Sequence, residues 1–177
     1  MCGNIRHPEL SDLLLQGEID AALLDGGPKL PERLNRWPLF ETRLVVLCAP
    51  GHRFAGFAEV PVAALAEETI LQRGIPDCAH RRVLQALCAA SEIEASLRHC
   101  AASEEQLHEM AKASLGIAVS TACRAPPLGL IARPLVDARH GVVLAAVAGR
   151  PYGPGVAVFL KLMRARSWSA DAAGTGL

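Results

Sequence analysis

The sequence has no excess of charge of either sign and no long apolar run. Its 177 residues contain 18 Lys and Arg against 18 Asp and Glu, a formal net charge of zero. Nucleic-acid binding neutralises phosphates and usually shows as a basic excess or stripe. The longest apolar run, Val142–Ala148, is far shorter than the roughly 20 residues that span a bilayer. We therefore expect no membrane contact and no DNA contact by this chain alone.

The short motifs of common enzymes and exported proteins are also missing. There is no G-x-S-x-G elbow, no P-loop and no G-x-G-x-x-G. Six cysteines and six histidines could supply nucleophiles and bases, but no pair of them shows the pattern of an activated nucleophile. Met1–Leu10 has no apolar core of the kind found in secretory signals. We expect a cytoplasmic protein that is not an enzyme and needs no cofactor.

The cysteines are expected to be reduced and structural. They lie beside small or apolar neighbours, as in Leu47-Cys48-Ala49, which is typical of buried free thiols. A metal site is an alternative for one window, but zinc sites favour paired spacings such as C-x-x-C, which this window lacks. The window contains Cys78, His80, Cys88, His99, Cys100 and His108.

Helix and strand signals alternate along the chain. Helices are predicted from prolines at first helical positions, capping residues and apolar side chains repeating every three or four residues. Strands are predicted from short apolar runs ended by glycine, proline or polar residues. The helices begin near Pro8, Pro61, Asp77, Ser103 and Pro154, and the strands are Ile19–Leu24, Leu34–Phe40, Arg43–Ala49, Thr69–Gln72, Ala95–Ala101, Leu115–Ser120 and Val142–Ala148.

Several predicted strands are apolar nearly throughout instead of alternating with polar residues. Strands that helices cover on both faces have this composition, which favours an α/β fold with a largely parallel sheet. Open sheets of this class bind ligands at the carboxyl ends of strands and at helix N-termini. The sequence alone therefore predicts an α/β protein with its ligand-binding potential at one edge of the sheet.

A series of motifs in one order resembles the effector-binding (substrate-binding) domain of LysR-type transcriptional regulators. No single motif is specific, but their order is, and the resemblance runs from about Ile5 to Met163. Ser120-Thr121 replaces a proline that is usual in the family. The matching stretches are Leu13–Leu23 (LLLQGEIDAAL), Leu39–His52 (LFETRLVVLCAPGH), Val62–Leu65, Ile70-Leu71, Ser103–Leu107, Leu115–Ser120 (LGIAVS) and Arg133–Leu135 with the last helix.

The resemblance implies a fold like that of type-2 periplasmic binding proteins, with two α/β lobes joined by two crossing strands. Lobe I would comprise residues 1–47 and 146–177, and lobe II residues 48–145. Full-length members also carry a DNA-binding helix-turn-helix and form homo-oligomers. Since no stretch matches that segment or the first strand and helix of the sensor, we expect an N-terminally truncated chain. Its missing strand would leave Leu13, Leu14 and Phe159 partly uncovered.

The resemblance also implies a small effector in the cleft between the lobes, and the physics of the site favours an anion. Helix N-termini and hydroxyls donate hydrogen bonds to anions, and arginine binds a carboxylate through two hydrogen bonds. Structural explanations stay open: Ser103 as a helix cap only, Arg73 as a solvated charge and His7 as an exposed turn residue. The expected effector-binding residues are His7, Gln72, Arg73, Gly74, Ser103, Ser120 and Thr121.

A stand-alone solute-binding protein of the same fold is the alternative interpretation. The polar residues at the start of the sequence count against it, because such proteins carry an export signal. Either interpretation predicts that the chain binds a small molecule without transforming it.

Overall fold

The computed structural model describes residues 7–26, 30–74, 79–122 and 125–168, apart from the side chains of residues 7–9, 79–80 and 97–98. Helices and strands alternate over much of this part of the chain. The helices are α1 (His7–Gln16), α2 (Ala79–Ala90), α3 (Glu104–Lys112) and α4 (Pro154–Ala165), and 3-10 helices cover Arg53–Gly56 and Val62–Glu67. The strands are β1 (Ala22–Asp25), β2 (Leu34–Cys48), β3 (Thr69–Arg73), β4 (Ser96–Ala101), β5 (Ile117–Thr121) and β6 (Ile131–Val147).

Most predicted helices begin where their sequence signals lie. Pro154 occupies the first turn of α4, and Ser103 caps α3. The segment after Pro61 forms a 3-10 helix, not the predicted α-helix, and Pro61 makes no side-chain cap hydrogen bond. Asp77, the predicted cap of α2, lies outside the described residues.

Strands β2 and β6 are both longer than predicted. Leu34–Phe40 and Arg43–Ala49 are parts of the single strand β2, because the polar Thr42 between them is buried and does not interrupt the strand. Strand β6 extends upstream of Val142 to Ile131 and includes Pro134. A proline cannot donate to a neighbouring strand, but the carbonyl of Pro134 accepts a hydrogen bond from the Val60 amide at 2.8 Å.

The strands follow the order β1-β6-β2-β5-β3-β4. Strand β3 pairs in parallel with both β4 and β5, whereas β1 pairs with β6, and β2 with β5, in the antiparallel direction. The prediction of a largely parallel sheet was therefore wrong, and the sheet is mixed. Continuous apolar strands indicate burial on both faces, which does not determine strand direction.

The chain divides into two compact units, and β2 and β6 contribute to both. Of the described residues, unit 1 contains those up to Glu41 and those from His140, and unit 2 contains those between Thr42 and Arg139. The lobe boundaries expected from the resemblance, after residues 47 and 145, fall within the same two strands.

Unit 2 buries its strands on both faces, as their composition predicts. Leu44 and Val46 of β2 pack in one cluster with α2 and the 3-10 helices, while Val45 and Leu47 pack in a second cluster with α3. Successive side chains of a strand point to opposite faces. Strand β2 is therefore covered on both sides in this unit.

Unit 1 follows the same plan with α1 and α4. Leu14 of α1 packs with Leu24 of β1 and is fully buried, so the expectation that Leu14 is partly uncovered was wrong. Strand β1 itself covers this face of α1. In a separate cluster, Leu160 of α4 packs on Leu144 of β6, while the neighbouring Phe159 is 46% exposed.

A buried pair of polar side chains lies inside unit 1. Asp25 and His140 are 8% and 9% exposed, and Oδ1 of the carboxylate lies 3.5 Å from Nδ1 of the ring. Asp25 ends β1, and its partner in the strand register is Val142. The pair therefore joins the end of β1 to the middle of β6.

The histidine of the Pro50-Gly51-His52 motif has a structural role. Its Nδ1 accepts a hydrogen bond from the Phe54 amide at 3.2 Å and so caps the first 3-10 helix. Its Nε2 lies 3.1 Å from a carboxylate oxygen of Glu68, whose other oxygen accepts from Arg53 at 2.6 Å. These contacts tie the loop after β2 to the start of β3.

The cysteines differ in exposure. Cys48 and Cys88 are buried free thiols, as predicted, and desolvation by burial raises the pKa of both. Cys100 is also free but exposed, which corrects the prediction that it is buried. It lies on β4, which has a neighbour on one side only in the strand order. Cys2, Cys78 and Cys123 lie outside the described residues.

Candidate functional site

Three parallel strands of unit 2 end at the same edge of the sheet. Arg73 of β3 is paired with Ala101 of β4, and Leu71 of β3 with Ala118 of β5. The residues that follow the three strand ends therefore come together at one edge, as the ligand-binding edge of an α/β sheet requires. This edge brings together six of the predicted residues: Gln72, Arg73, Gly74, Ser103, Ser120 and Thr121.

Ser103 lies between the end of β4 and the start of α3 and caps that helix as predicted, while the Gln106 side chain bonds one residue earlier than a capping box requires. Its Oγ accepts a hydrogen bond from the Gln106 amide at 3.1 Å, and the Gln106 side-chain oxygen accepts from the Ala102 amide at 2.8 Å. The first bond satisfies an amide that the helix cannot satisfy itself. Together the two bonds fix the start of α3 beside the end of β4.

Arg73 is partly buried at the end of β3. Its Nε is buried and has no hydrogen-bond partner in the part of the chain that the structure describes. The next amide, that of Gly74, donates to the carbonyl of Ala101 at 2.9 Å and so keeps the chain beside β4. A buried N–H without an acceptor is costly unless a ligand or water provides one.

Glu105, which the sequence analysis did not include, belongs to the same edge. It is an exposed residue in the first turn of α3, and its pKa is lowered. A hydrogen bond to its own backbone amide lowers the pKa most, followed by one to the Ser103 hydroxyl, with smaller effects of the charges of His108 and Arg73. An acidic residue two positions after a capping serine is the signal that could have found it.

Ser120 and Thr121 form the third part of the edge. They are partly buried and paired with Val45 and Leu44 of the antiparallel strand β2. The amide of Ala122 donates to the carbonyl of Arg43 at 2.8 Å, which continues this pairing beyond β5. Hydroxyl groups here supply neutral donors and acceptors.

Gly116 sets the distance between β5 and β3. A Cβ atom at this position would lie 2.3 Å from the carbonyl oxygen of Thr69, closer than any side chain can approach. The glycine in the Leu115-Gly116-Ile117-Ala118 motif therefore allows the two backbones to meet. This contact lies where the parallel strands β5 and β3 begin, at Ile117 and Thr69.

His7, the remaining predicted residue, is the first residue of α1 and belongs to unit 1. Only its backbone is described. The role expected for it remains a prediction.

Other kinds of site were searched for in the same residues. Within the described ranges, no group of three or more His, Cys, Asp or Glu side chains could hold a metal ion. In those ranges no helix is both long and apolar enough to cross a bilayer.

The fold is that of an α/β domain with a mixed sheet, and comparison with known proteins identifies its family. The family model described as "LysR substrate binding domain" matches residues 6–168. The chain therefore belongs to the LysR substrate-binding domain family. No curated protein sequence matches the chain.

Solved structures show the same fold. The regulatory domain of CcmR from Synechocystis PCC6803, in complex with 2-PG, has a TM-score of 0.78 and 20% identity, over 92% of this chain and 80% of that one. The effector-binding domain of QuiR, in complex with shikimate, has a TM-score of 0.77 and 14% identity, over 89% and 76%. HinK, a LysR family regulator from Pseudomonas aeruginosa, has a TM-score of 0.77 and 20% identity over 91% of this chain. The chain spans 58% of the HinK chain.

Proposed function

We propose that this chain is the effector-sensing part of a LysR-type regulator and binds a small anion at the strand-end edge of unit 2. The buried Nε of Arg73, which has no acceptor among the described residues, carries the proposal. It lies at the edge where the capped N-terminus of α3 begins. An arginine beside a helix N-terminus combines a full positive charge with backbone donors, a combination that suits a carboxylate or phosphate.

The relatives support a small-molecule ligand. CcmR is described in complex with 2-PG and QuiR in complex with shikimate, which is a carboxylate. The family match favours a regulator over the alternative of a stand-alone solute-binding protein, which shares the fold. A cytoplasmic location, a homo-oligomeric assembly and DNA binding by a full-length protein are part of the same proposal. A cleft between the lobes, with His7 on its other side, remains a prediction.

Replacing Arg73 tests the effector site. Isothermal titration calorimetry with inorganic phosphate and with shikimate should show binding by the unaltered chain and at least a tenfold loss of affinity in Arg73→Ala, because a hydrogen bond to a charged group contributes about 1.5–3 kcal/mol. Arg139→Ala is the matched control, since Arg139 is an exposed arginine of the same unit. Equal losses in both variants, or none in Arg73→Ala, would contradict the proposal.

A further inference from the structure

The sheet of unit 2 has two faces, here called the α3 face and the α2 face after the helices that cover them. Leu71 of β3 packs in the cluster that contains residues of α3, and Ile70 packs in the cluster that contains residues of α2. Because successive residues of a strand point to opposite faces, Arg73 lies on the α3 face and Gln72 on the α2 face. Ala101, the β4 partner of Arg73, belongs to the α3 cluster and agrees with this assignment.

Strand β5 divides its two hydroxyl residues between the same faces. Ala118 packs in the α3 cluster, so Ser120 lies on the α3 face. Val119 packs against the α2 cluster, so Thr121 lies on the α2 face. The pairing with β2 agrees, because Ser120 is opposite Val45, a member of the α3 cluster. The two neighbouring hydroxyls are therefore on opposite sides of the sheet.

Arg73 and Ser120 are also level with each other along the sheet. Strands β3 and β5 are parallel, and Leu71 is paired with Ala118. Two residues further along both strands, Arg73 lies beside Ser120, with neighbouring strands about 4.8 Å apart. On its other side Arg73 is paired with Ala101, whose methyl group makes no hydrogen bond. Of these two strand neighbours of Arg73, Ser120 is the one with a polar side chain.

From this juxtaposition, and resting on the proposed effector site, we infer that Arg73 and Ser120 together bind one oxyanion group of the effector on the α3 face. One oxygen of the group accepts from the buried Nε of Arg73, which has no acceptor among the described residues. A second oxygen of the same group accepts from the Ser120 hydroxyl. Gln72 and Thr121 lie on the α2 face and do not contact this group. The ligand class is thus a carboxylate or phosphate whose charged group presents two oxygens to two neighbouring strands.

The two residues contribute differently to binding. Arg73 supplies charge, so its loss weakens the attraction of any anion. Ser120 supplies a neutral donor, and it is partly buried, so water competes less for its hydroxyl than for an exposed one. Removing the hydroxyl should therefore weaken binding without changing the charge of the site.

A matched pair of substitutions tests the assignment of the faces. Calorimetric titration with inorganic phosphate and with shikimate should show about tenfold weaker binding by Ser120→Ala, because a hydrogen bond to a charged group is lost. Thr121→Val removes the adjacent hydroxyl with little change of shape and should leave both affinities within about twofold, since that side chain lies on the other face. Urea unfolding of both variants checks that a loss of affinity is not a loss of folded protein.

A charge placed on each face gives a second, larger readout. Ser120→Asp puts a carboxylate beside Arg73, where it occupies the guanidinium and repels the ligand, so both affinities should fall by more than about tenfold. Thr121→Asp adds the same charge one residue further along, on the other face. Its affinities should fall by less than about threefold, because a more distant charge near the surface is screened.

The outcomes separate this inference from the proposed function. A loss of affinity in Arg73→Ala but not in Ser120→Ala overturns the role of Ser120 and leaves the effector site standing. Equal losses in Ser120→Ala and Thr121→Val, or a larger loss in Thr121→Val, overturn the assignment of the ligand to the α3 face. Absence of binding of both probes by the unaltered chain overturns the proposed site and this inference together.

Discussion

The two units differ in where their titratable side chains meet. Unit 2 buries apolar side chains on both faces of its strands and has its polar contacts at the strand ends, around Arg73 and Ser103. Unit 1 holds the Asp25–His140 pair inside. Exposed apolar side chains occur in both units, with Phe159 and Leu162 of α4 at 46% and 64% in unit 1 and Leu128 at 94% in unit 2. The difference between the units therefore lies in their polar groups: unit 2 offers an arginine and a capped helix end at the edge of its sheet, while unit 1 buries a carboxylate against an imidazole.

The buried pair of unit 1 should matter most for stability. Asp25→Ala leaves the His140 ring buried without the carboxylate beside it, and leaving a buried polar group without its partner costs about 1–3 kcal/mol. We expect urea unfolding to show a loss of this size. Glu59→Ala removes the partner of Arg43 in a half-exposed pair of unit 2 and should cost less than about 1 kcal/mol. Similar losses of unfolding free energy in the two variants would contradict the proposed difference between the units.

The cap of unit 2 should show a smaller effect on stability and a separate effect on binding. Ser103→Ala should cost about 1 kcal/mol, because the Gln106 amide loses its acceptor. Ser103→Asp keeps an acceptor and should restore stability, but it adds a negative charge where the effector anion is proposed to bind. Urea unfolding and phosphate titration of both variants distinguish the roles. If Ser103→Asp still binds phosphate normally, Ser103 acts as a cap only.

A substitution on the exposed apolar surface of α4 should have the smallest effect on the free energy of unfolding. Leu162→Lys on α4 should change the free energy of unfolding by no more than about 0.5 kcal/mol, since surface substitutions rarely do more. If the exposed residues of α4 and the exposed Leu23 of β1 bind other copies of the chain, the substitution should lower self-association in sedimentation velocity runs over a range of concentrations. A concentration-independent monomer before the substitution would show that this surface does not mediate association.

Local signals predicted the elements and the cap but not the shape of the sheet. The start of α4 at Pro154 and the Ser103 cap of α3 depend on residues within one turn of each other, so they can be predicted from the sequence. The continuity of β2 through Thr42 could not, because a buried threonine and an exposed one look alike in the sequence. The exposure of Cys100 was missed for the same reason, since it follows from the position of β4 in the strand order.

The residues of the candidate site also differ in whether the sequence alone could predict them. Arg73 and Ser103 were singled out for their chemistry, and Glu105 was not, because an acid in the first turn of a helix is ordinarily explained by the helix dipole. The lowered pKa of Glu105 depends in part on the charge of Arg73, a residue of another strand, which the local sequence does not reveal.

The sequence by itself determined the order of helices and strands, the capping residues and the burial of the strands on both faces. It also determined the resemblance to the LysR family. Each of these depends on neighbouring residues or on their order along the chain. Tertiary structure decided the strand directions and the register that places Arg73 opposite Ala101 and so beside Ser103. These residues lie far apart in the chain, and only hydrogen bonds between β3 and β4 bring them together. The physical reason is that apolar patterns record how deeply a strand is buried, whereas the choice of its neighbour depends on the packing of the whole sheet.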